Sequence, residues 1–429
     1  MNVLILGSGG REHAIGWKIA KSSILNLLYF APGNPGTAQH GNNIIIDPTD
    51  KKAVSNVVKE NEIDLVIIGS EKPIVEGLHN FLTNEEQLGV SVIGPKKEAA
   101  QLEGSKAFAK AFMNRHDIPT ASYKEFNQNN IEEAYSYLEE MNAPYVIKAD
   151  GLADGKGVII LDELDEAKNT VKDIIQNKKF NKAGEKVVIE EYLEGMEFSV
   201  FIVTDGESYK VLPIAKDYKR VGEGDTGLNT GGMGAVSPVP FVDEDLMLKV
   251  ENKIIKPTLE GLATEALPYQ GFLFLGLTNV DTEPYLIEYN VRLGDPEAEV
   301  ILPRLNTDFM DLLEGIATKT LSERDIKLDD RSAATVVLAS QGYPKEYEKG
   351  KTITGIEDIE KGLVFHAGTK EFDEDKLVTD GGRVFALTSY GKDIEDALEK
   401  VNNNAKTIEF GGKYYRKDIG YDLIKDKMV

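Results

Sequence analysis

The chain has 429 residues, enough for about three domains at roughly 150 residues each. Its 49 basic and 72 acidic residues leave a net charge of -23, which opposes non-specific attraction to nucleic acid and anionic membranes and favours small-molecule partners. There is no cysteine, so disulfides, thiolate metal sites and cysteine nucleophiles are excluded. The apolar run Val3 to Leu6 is too short for a signal segment and no stretch approaches the length of a membrane span. A soluble, unprocessed, cytoplasmic protein is expected.

Asn2 to Leu6 enters Gly7-Ser-Gly-Gly10, and apolar residues at helical spacing follow from Glu12 to Ala20, predicting strand, glycine-rich turn and helix. Buried-strand patterns recur at Leu27 to Ala31, Leu65 to Gly69 and Val90 to Gly94, with helical segments such as Ala53 to Glu60 between them. That alternation predicts a parallel α/β sheet over about the first hundred residues. A helix from Ser105 to His116 marks the exit. Val146 to Ala149 and Val158 to Leu161 read as strands around the glycine-rich Gly151 to Gly157, and with Val187 to Glu191 they predict a compact α+β unit. Glu197 to Thr204, Gly271 to Val280 and Tyr285 to Val291 are further strands, the last two forming a hairpin across Asp281-Thr-Glu-Pro284. Charged Ser322 to Arg331 reads as a linker to a third unit with strands Ala333 to Ser340, Leu363 to Gly368 and Arg383 to Tyr390 and a helix Ile394 to Thr407. The expected units are 1–104, 105–325 and 326–429.

The most informative stretch runs from Tyr285 to Glu297. Strand alternation turns Glu288 and Asn290 to one face, where a carboxylate and an amide suit the incomplete oxygen shell that a protein gives Mg²⁺ beside nucleotide phosphates. An exposed polar strand face would explain those two residues, but not Arg292 and Gly294-Asp295-Pro296-Glu297 directly after them. Gly7 to Glu12 invites a dinucleotide fingerprint. It fails, because Glu12 stands where a third glycine belongs and the Leu27 to Ala31 strand ends without an acidic residue for a ribose. A turn at a helix N-terminus beside Arg11 still suits a phosphate. Glu71, at the end of the Leu65 strand, is expected on the same carboxyl edge.

Gly151 to Gly157 is not a P-loop, since it joins two strands and has Gly157 in place of Ser or Thr. Such a loop can close over a triphosphate, with Lys148 reaching from the preceding strand; a lysine in an apolar strand requires an anionic partner. Glu190-Glu-Tyr-Leu193 and Glu197 offer backbone groups for an adenine edge and a carboxylate for ribose hydroxyls, although surface glutamates leaving any strand look similar. Asp225 to Ala235 is a second glycine-rich loop, suited to close approach to a ligand or else a disordered surface loop.

Together these residues resemble the ATP-grasp superfamily and, within it, the glycinamide ribonucleotide synthetase family. The resemblance covers nearly the whole chain. It rests on Gly7 to His13, Ala31 to Asn34, Leu102 to Lys106, Ile147 to Ala153, Asp225 to Ala235, Arg292 to Glu297, His366 to Thr369, Gly381 to Arg383 and Arg416 to Gly420. Ser70, Leu228 and Tyr218 depart from the family pattern. The resemblance implies an α/β and α+β multidomain protein: an N-terminal parallel α/β sheet domain, a two-part ATP-grasp core with a mobile lid over about 120–190, and a C-terminal α+β domain. It also implies ligation of glycine to 5-phosphoribosylamine with ATP as co-substrate, through glycyl phosphate, in de novo purine synthesis. Lys106, Lys148, Gly155, Gly157, Glu190, Glu191, Leu193 and Glu197 would hold ATP, and Glu288 and Asn290 would hold Mg²⁺ or Mn²⁺. Gly10, Arg11, Glu71, Arg292 and Asp295 would hold substrate, with Arg292 and Lys148 catalytic. Another ATP-grasp carboxylate-amine ligase is the nearest rival, followed by a nucleotide-binding regulator without turnover and then a dehydrogenase.

Overall fold

In the computed structural model residues 1–153, 157–373 and 376–424 are described. The first hundred residues form a five-stranded sheet in the order Asn42–Asn43, Leu27–Pro32, Asn2–Gly7, Leu65–Ile68, Ser91–Ile93. Every pairing is parallel, with Leu4 beside both Tyr29 and Val66. The strand Leu-Val-Ile-Ile is buried at all four residues, as expected where helices cover both faces of a parallel sheet. Strand order reverses between Asn2–Gly7 and Leu65–Ile68, so their carboxyl ends open a crevice that collects Gly7 to Arg11 and Ser70-Glu71.

A second, antiparallel sheet follows in the order Tyr123–Asn127, Lys186–Glu191, Tyr145–Ala149, Val158–Leu161. Helices Ile131–Glu140 and Leu164–Ile175 close it around a separate small core that includes Leu138, Ile147, Val171 and Ile189. The strand Tyr123–Asn127 has no clear period in the sequence and was not expected. A third sheet runs Tyr209–Val211, Met196–Thr204, Gly271–Val280, Glu283–Asn290. The expected hairpin closes at Val280 opposite Glu283, and Asp281 and Thr282 both take positive φ, the backbone of a two-residue type I′ turn. A register shift sets Gly276 against Glu288 while Leu277 pairs with Leu286, so Ile287 is the extra residue. A Cβ on Gly276 would lie 3.2 Å from Glu288 Cγ, so glycine gives that side chain its room. Leu273, Leu275 and Leu277 are fully buried in the large core, each contributing about 1.5–3 kcal/mol.

The C-terminal sheet is more interleaved than the linker reading predicts. Its order is Lys216–Asp217, Gly234–Ser237, Ser332–Ser340, Arg383–Gly391, Leu363–His366, with Lys413–Tyr414 also paired to Ser332–Ser340. Two of its strands therefore come from residues before the charged linker. The 225–235 loop is ordered: Arg220–Gly222 and Thr226–Asn229 pair as a hairpin, and Gly234–Ser237 is a sheet strand. Helix Ile394–Thr407 starts at the predicted residue because Asp393 caps the Asp396 amide at 2.9 Å. Among the described residues no helix is long and apolar enough to cross a membrane.

Candidate functional site

At the first turn Glu12 explains why the dinucleotide pattern fails. Its carboxylate turns back to accept the Gly9 amide at 2.7 Å, occupying a donor that an incoming pyrophosphate would need. A Cβ on Gly7 or Gly69 would fall 2.6 Å or 2.3 Å from Glu12 atoms, so both glycines make room for it. Arg11 is buried beside Glu12, with Nε donating to Glu12 Oε1 at 2.7 Å and Nη1 to Leu293 O at 3.1 Å. Burial opposes its charge, but Glu12, Asp295 and Glu71 outweigh that and hold the guanidinium more firmly protonated. Arg11 is thus a fixed positive charge behind Gly10, not a flexible arm.

The buried Lys148 has the anionic partner its apolar strand requires. Glu190 Oε2 lies 2.9 Å from it and 2.8 Å from Lys110, so one carboxylate bridges two buried lysines. Burial pushes Lys110 down to about 8 despite Glu190, with Lys148 adding to the shift. Glu190 therefore points beneath the lysines instead of lying along the sheet's edge; its Oε1 is buried without a hydrogen-bond partner among the described residues. Lys106 opens the helix Lys106–Arg115, and its Nζ lies 3.5 Å from Gly151 O. Asp150 ties that helix start to the glycine-rich segment by accepting from Ser105 Oγ at 2.9 Å and Ala107 N at 3.1 Å. Gly157 O accepts from Ala149 N at 2.8 Å, and Gly155 lies outside the described residues. Glu191 is exposed and accepts from Ser122 N at 2.8 Å. Half-buried Leu193 lies in the connection from Lys186–Glu191 to Met196–Thr204, where its backbone joins no ladder among the described residues. Exposed Glu197 accepts from Lys219 at 3.2 Å.

Glu288 sits where these cations converge. Burial pushes its carboxyl up, but Lys219, Lys148, Lys106 and Arg292 together hold it below the ordinary glutamate range. Held ionised among these cations, the carboxylate is suited to a hard cation. Asn290 faces the same way, with Oδ1 accepting from Arg292 at 3.0 Å and a second lone pair left over. No group of three or more His, Cys, Asp or Glu among the described residues forms a cage of its own. The pair therefore fits a cation that takes its other ligands from phosphate and water, and not a closed structural site. Nearby, burial and then Asp217 push Glu297 up to about 8.

Arg292 joins this region to the crevice of the first sheet. Its Nη2 reaches Asn290 and lies 3.0 Å from Glu103 Oε1, its Nε is 3.7 Å from Glu71, and Glu103 Oε2 accepts the Val291 amide at 2.7 Å. Burial raises the Glu71 carboxyl, but Arg292 and Arg11 outweigh it and hold the group ionised. Arg292 Nε is buried with no hydrogen-bond partner among the described residues. Asp295 completes the cluster through its ion pair with Arg383 at 2.9 Å. Gly10, Arg11, Glu71, Arg292 and Asp295 therefore lie on one side of the node, and Lys106, Lys148, Glu190, Glu288 and Asn290 on the other. Lys110, Lys219 and Glu103 are not singled out by the sequence, although Glu103 lies within the Leu102 to Lys106 motif and Lys110 lies four residues beyond Lys106 on one helix face.

A small antiparallel sheet and a larger core sheet, joined by an exposed connection and lined with lysines, an arginine and a carboxylate-amide pair, define the ATP-grasp class. The chain matches the phosphoribosylglycinamide synthetase N domain over residues 1–103, the ATP-grasp (A) domain over 104–298 and the C domain over 333–422. It belongs to the phosphoribosylglycinamide synthetase family. Phosphoribosylamine–glycine ligase of Vibrio parahaemolyticus is 44% identical over 99% of both chains, and that of Chlorobaculum tepidum is 45% identical over 98% of this chain and 99% of its own. The crystal structure of the Thermotoga maritima phosphoribosylamine–glycine ligase superposes with a TM-score of 0.86 at 39% identity, covering 97% of this chain and 100% of that one. A Campylobacter jejuni biotin carboxylase shares the fold at a TM-score of 0.71 and 14% identity, over 99% of this chain and 96% of its own.

Proposed function

We propose that this protein is a cytoplasmic ligase that joins glycine to 5-phosphoribosylamine, converting ATP to ADP and phosphate and forming glycinamide ribonucleotide for purine synthesis. The observation that carries the reading is Arg292. One guanidinium contacts Asn290 on the nucleotide side and, through Nε, faces Glu71 at 3.7 Å on the crevice side, that Nε being buried with no hydrogen bond to a described residue. Buried polar groups are ordinarily hydrogen-bonded, so a donor left with only a long ion pair here suits a ligand. The family works with ATP and a divalent cation; for this chain we take Mg²⁺, with Mn²⁺ as substitute.

Lys106 and Lys148 hold the nucleotide phosphates, with Gly155 and Gly157 closing over them. Glu190, Glu191, Leu193 and Glu197 hold adenosine at the lid-core connection. Glu288 and Asn290 hold the cation, which when bound offsets charge on the transferring phosphoryl group. Glycine's carboxylate is a poor electrophile. Its attack on the γ-phosphoryl group expels ADP and gives glycyl phosphate, and the neutral amine of phosphoribosylamine then displaces phosphate. Arg292 offsets the oxyanion of that second step, its geometry fixed by Glu103 and Asn290. Gly10, Arg11, Glu71 and Asp295 hold the ribosylamine. Lys148 stays in place because Glu190 pins it.

A coupled assay with ATP, glycine and freshly generated phosphoribosylamine tests the reaction, with other acids and amines as controls. Glycine labelled with ¹⁸O in its carboxylate should pass a single labelled oxygen to phosphate in each turnover. Unlabelled phosphate formed alongside glycinamide ribonucleotide would exclude glycyl phosphate, and ADP release with another acid or amine but not these would favour a sister ligase.

A further inference from the structure

The C-terminal segment Arg416-Lys-Asp-Ile-Gly420 contacts none of the residues given a role above, yet it contains one of the largest fully buried side chains in the protein. Arg416 is 1% exposed. Its Nη1 donates to Asp225 Oδ1 at 2.6 Å and to Arg220 O at 3.0 Å, while Nε and Nη2 both bind Asp418 at 2.8 Å. Asp418 Oδ2 also accepts the Gly224 amide at 2.7 Å, and Tyr414 Oη donates to Val221 O at 2.6 Å. These bonds grip the turn and one strand of the hairpin Arg220–Asn229 from behind. The same segment runs on to Gly231 and Gly232. A Cβ on Gly232 would lie 2.4 Å from Pro296 Cδ, and Arg383 Nη1 binds both Gly231 O at 2.7 Å and Asp295 O at 2.8 Å. One end of the segment is therefore clamped by Arg416 and the other rests on the Asp295-Pro296 turn.

We propose that Arg416 is a positioning residue for the ribosylamine half of the reaction: through Asp225 and Arg220 it fixes the hairpin that sets where Asp295 and its turn meet the acceptor substrate. This rests on the reading that Asp295, with Arg11 and Glu71, contacts phosphoribosylamine. Physically, the clamp is a splint. A buried guanidinium with four hydrogen bonds to carboxylate and carbonyl oxygens has one low-energy arrangement, so the hairpin is held without any group from the C-terminal unit reaching the reacting atoms. The nucleotide residues Lys106, Lys148 and Glu190 make no contact with the clamp; the one link to that side among the described residues is Lys219, next to the clamped Arg220, which reaches Glu197, so the larger effect falls on the acceptor.

The experiment is steady-state kinetics on Arg416→Lys, Arg416→Ala, Asp225→Asn and the Arg416→Ala/Asp225→Asn pair, varying each substrate in turn and recording Tm. The Asp225 side chain is 58% exposed, so Asp225→Asn should fold with an unchanged Tm and decides the question even where Arg416→Ala is too unstable to assay. The expected result is a rise of about ten- to hundredfold in the KM for phosphoribosylamine, the scale of a displacement of ~1 Å in a positioned group, with a much smaller change in the KM for ATP. The double variant should lose no more than Arg416→Ala alone, because the Arg416–Asp225 bond that Asp225→Asn weakens is already absent there. Wild-type KM values in Asp225→Asn and Arg416→Lys, an equal rise in the ATP KM, or additive losses would each overturn the proposal. Wild-type protein that makes no glycinamide ribonucleotide would instead remove the functional reading itself.

Discussion

Glu299 offers a measurement whose size follows from its surroundings. Its side chain is fully buried, and neither carboxyl oxygen has a hydrogen-bond partner among the described residues. It lies between the start of helix Gly10–Ile19 and the C-terminal sheet, where a Cβ on Gly10 would come 2.4 Å from Oε1. Burial, then Asp295, push its carboxyl well above the ordinary 4.5, with Arg383 and Arg11 only partly opposing. Above pH 4.5 the unfolded chain releases this proton while the folded protein keeps it. Stability is therefore full at low pH and falls as pH rises, by about 1.4 kcal/mol per unit for as long as the folded group stays protonated. Glu299→Gln has nearly the same shape and no proton to lose. As pH rises above 4.5 the wild type should therefore lose stability relative to this variant, and the two proteins should diverge until the folded group ionises. Urea unfolding followed by fluorescence reads this directly, because the only tryptophan, Trp17, is on the Gly10–Ile19 helix and packs edge-on to Phe365 at 5.7 Å. Parallel pH profiles for the two proteins would show that Glu299 ionises normally in the fold, and the argument from its burial would be wrong.

Glu288→Ala should fold normally yet lose most turnover, with excess Mg²⁺ restoring only part of it; wild-type kcat across a Mg²⁺ titration would remove the metal assignment. At acid pH the joint between the first and last units should weaken. His366 N donates to His13 Nδ1 at 2.8 Å, burial pushes His366 down to about 4, and burial with His366 and His40 nearby pushes His13 well below its usual range. Stability from these groups is complete above about pH 6.5 and lost as pH falls towards 4, so urea midpoints at pH 7 and pH 4.5 should differ less in His13→Gln/His366→Gln than in the wild type. Equal differences would place the acid sensitivity elsewhere.

Local pattern made much of this structure legible. The continuous apolar strands of the first sheet, the Asp281-Thr282 turn and the helix starting after Asp393 each follow from a few adjacent residues, and each occurs close to where the pattern puts it. The same holds for Glu288 and Asn290, whose shared face needs only the strand's period of two, even with Ile287 bulging beside them. What was not legible depends on residues distant in the chain. Lys216–Asp217 and Gly234–Ser237 are too short to show a period and become strands only when Ser332–Ser340 arrives to pair with them. Lys148 announced its need for an anion, but that the same Glu190 oxygen also serves Lys110 is a three-body fact of packing. Glu12 was visible as a broken fingerprint; its bond back to Gly9 shows that the break is a cap.

The interleaved C-terminal sheet also has a consequence for synthesis on the ribosome. Gly234 pairs with Val336, so this strand leaves the exit tunnel about a hundred residues before its partner exists. At roughly 5–20 residues per second that is an interval of about 5–20 seconds in which Gly234–Ser237 has one ladder edge unfilled. An unpaired edge is a template for the wrong neighbour, including the same segment of another nascent chain. The last unit cannot be regarded as a late, independent addition: until it is translated, the middle of the protein waits incomplete, and a fragment beginning at Ser332 would lack the two strands that finish its sheet.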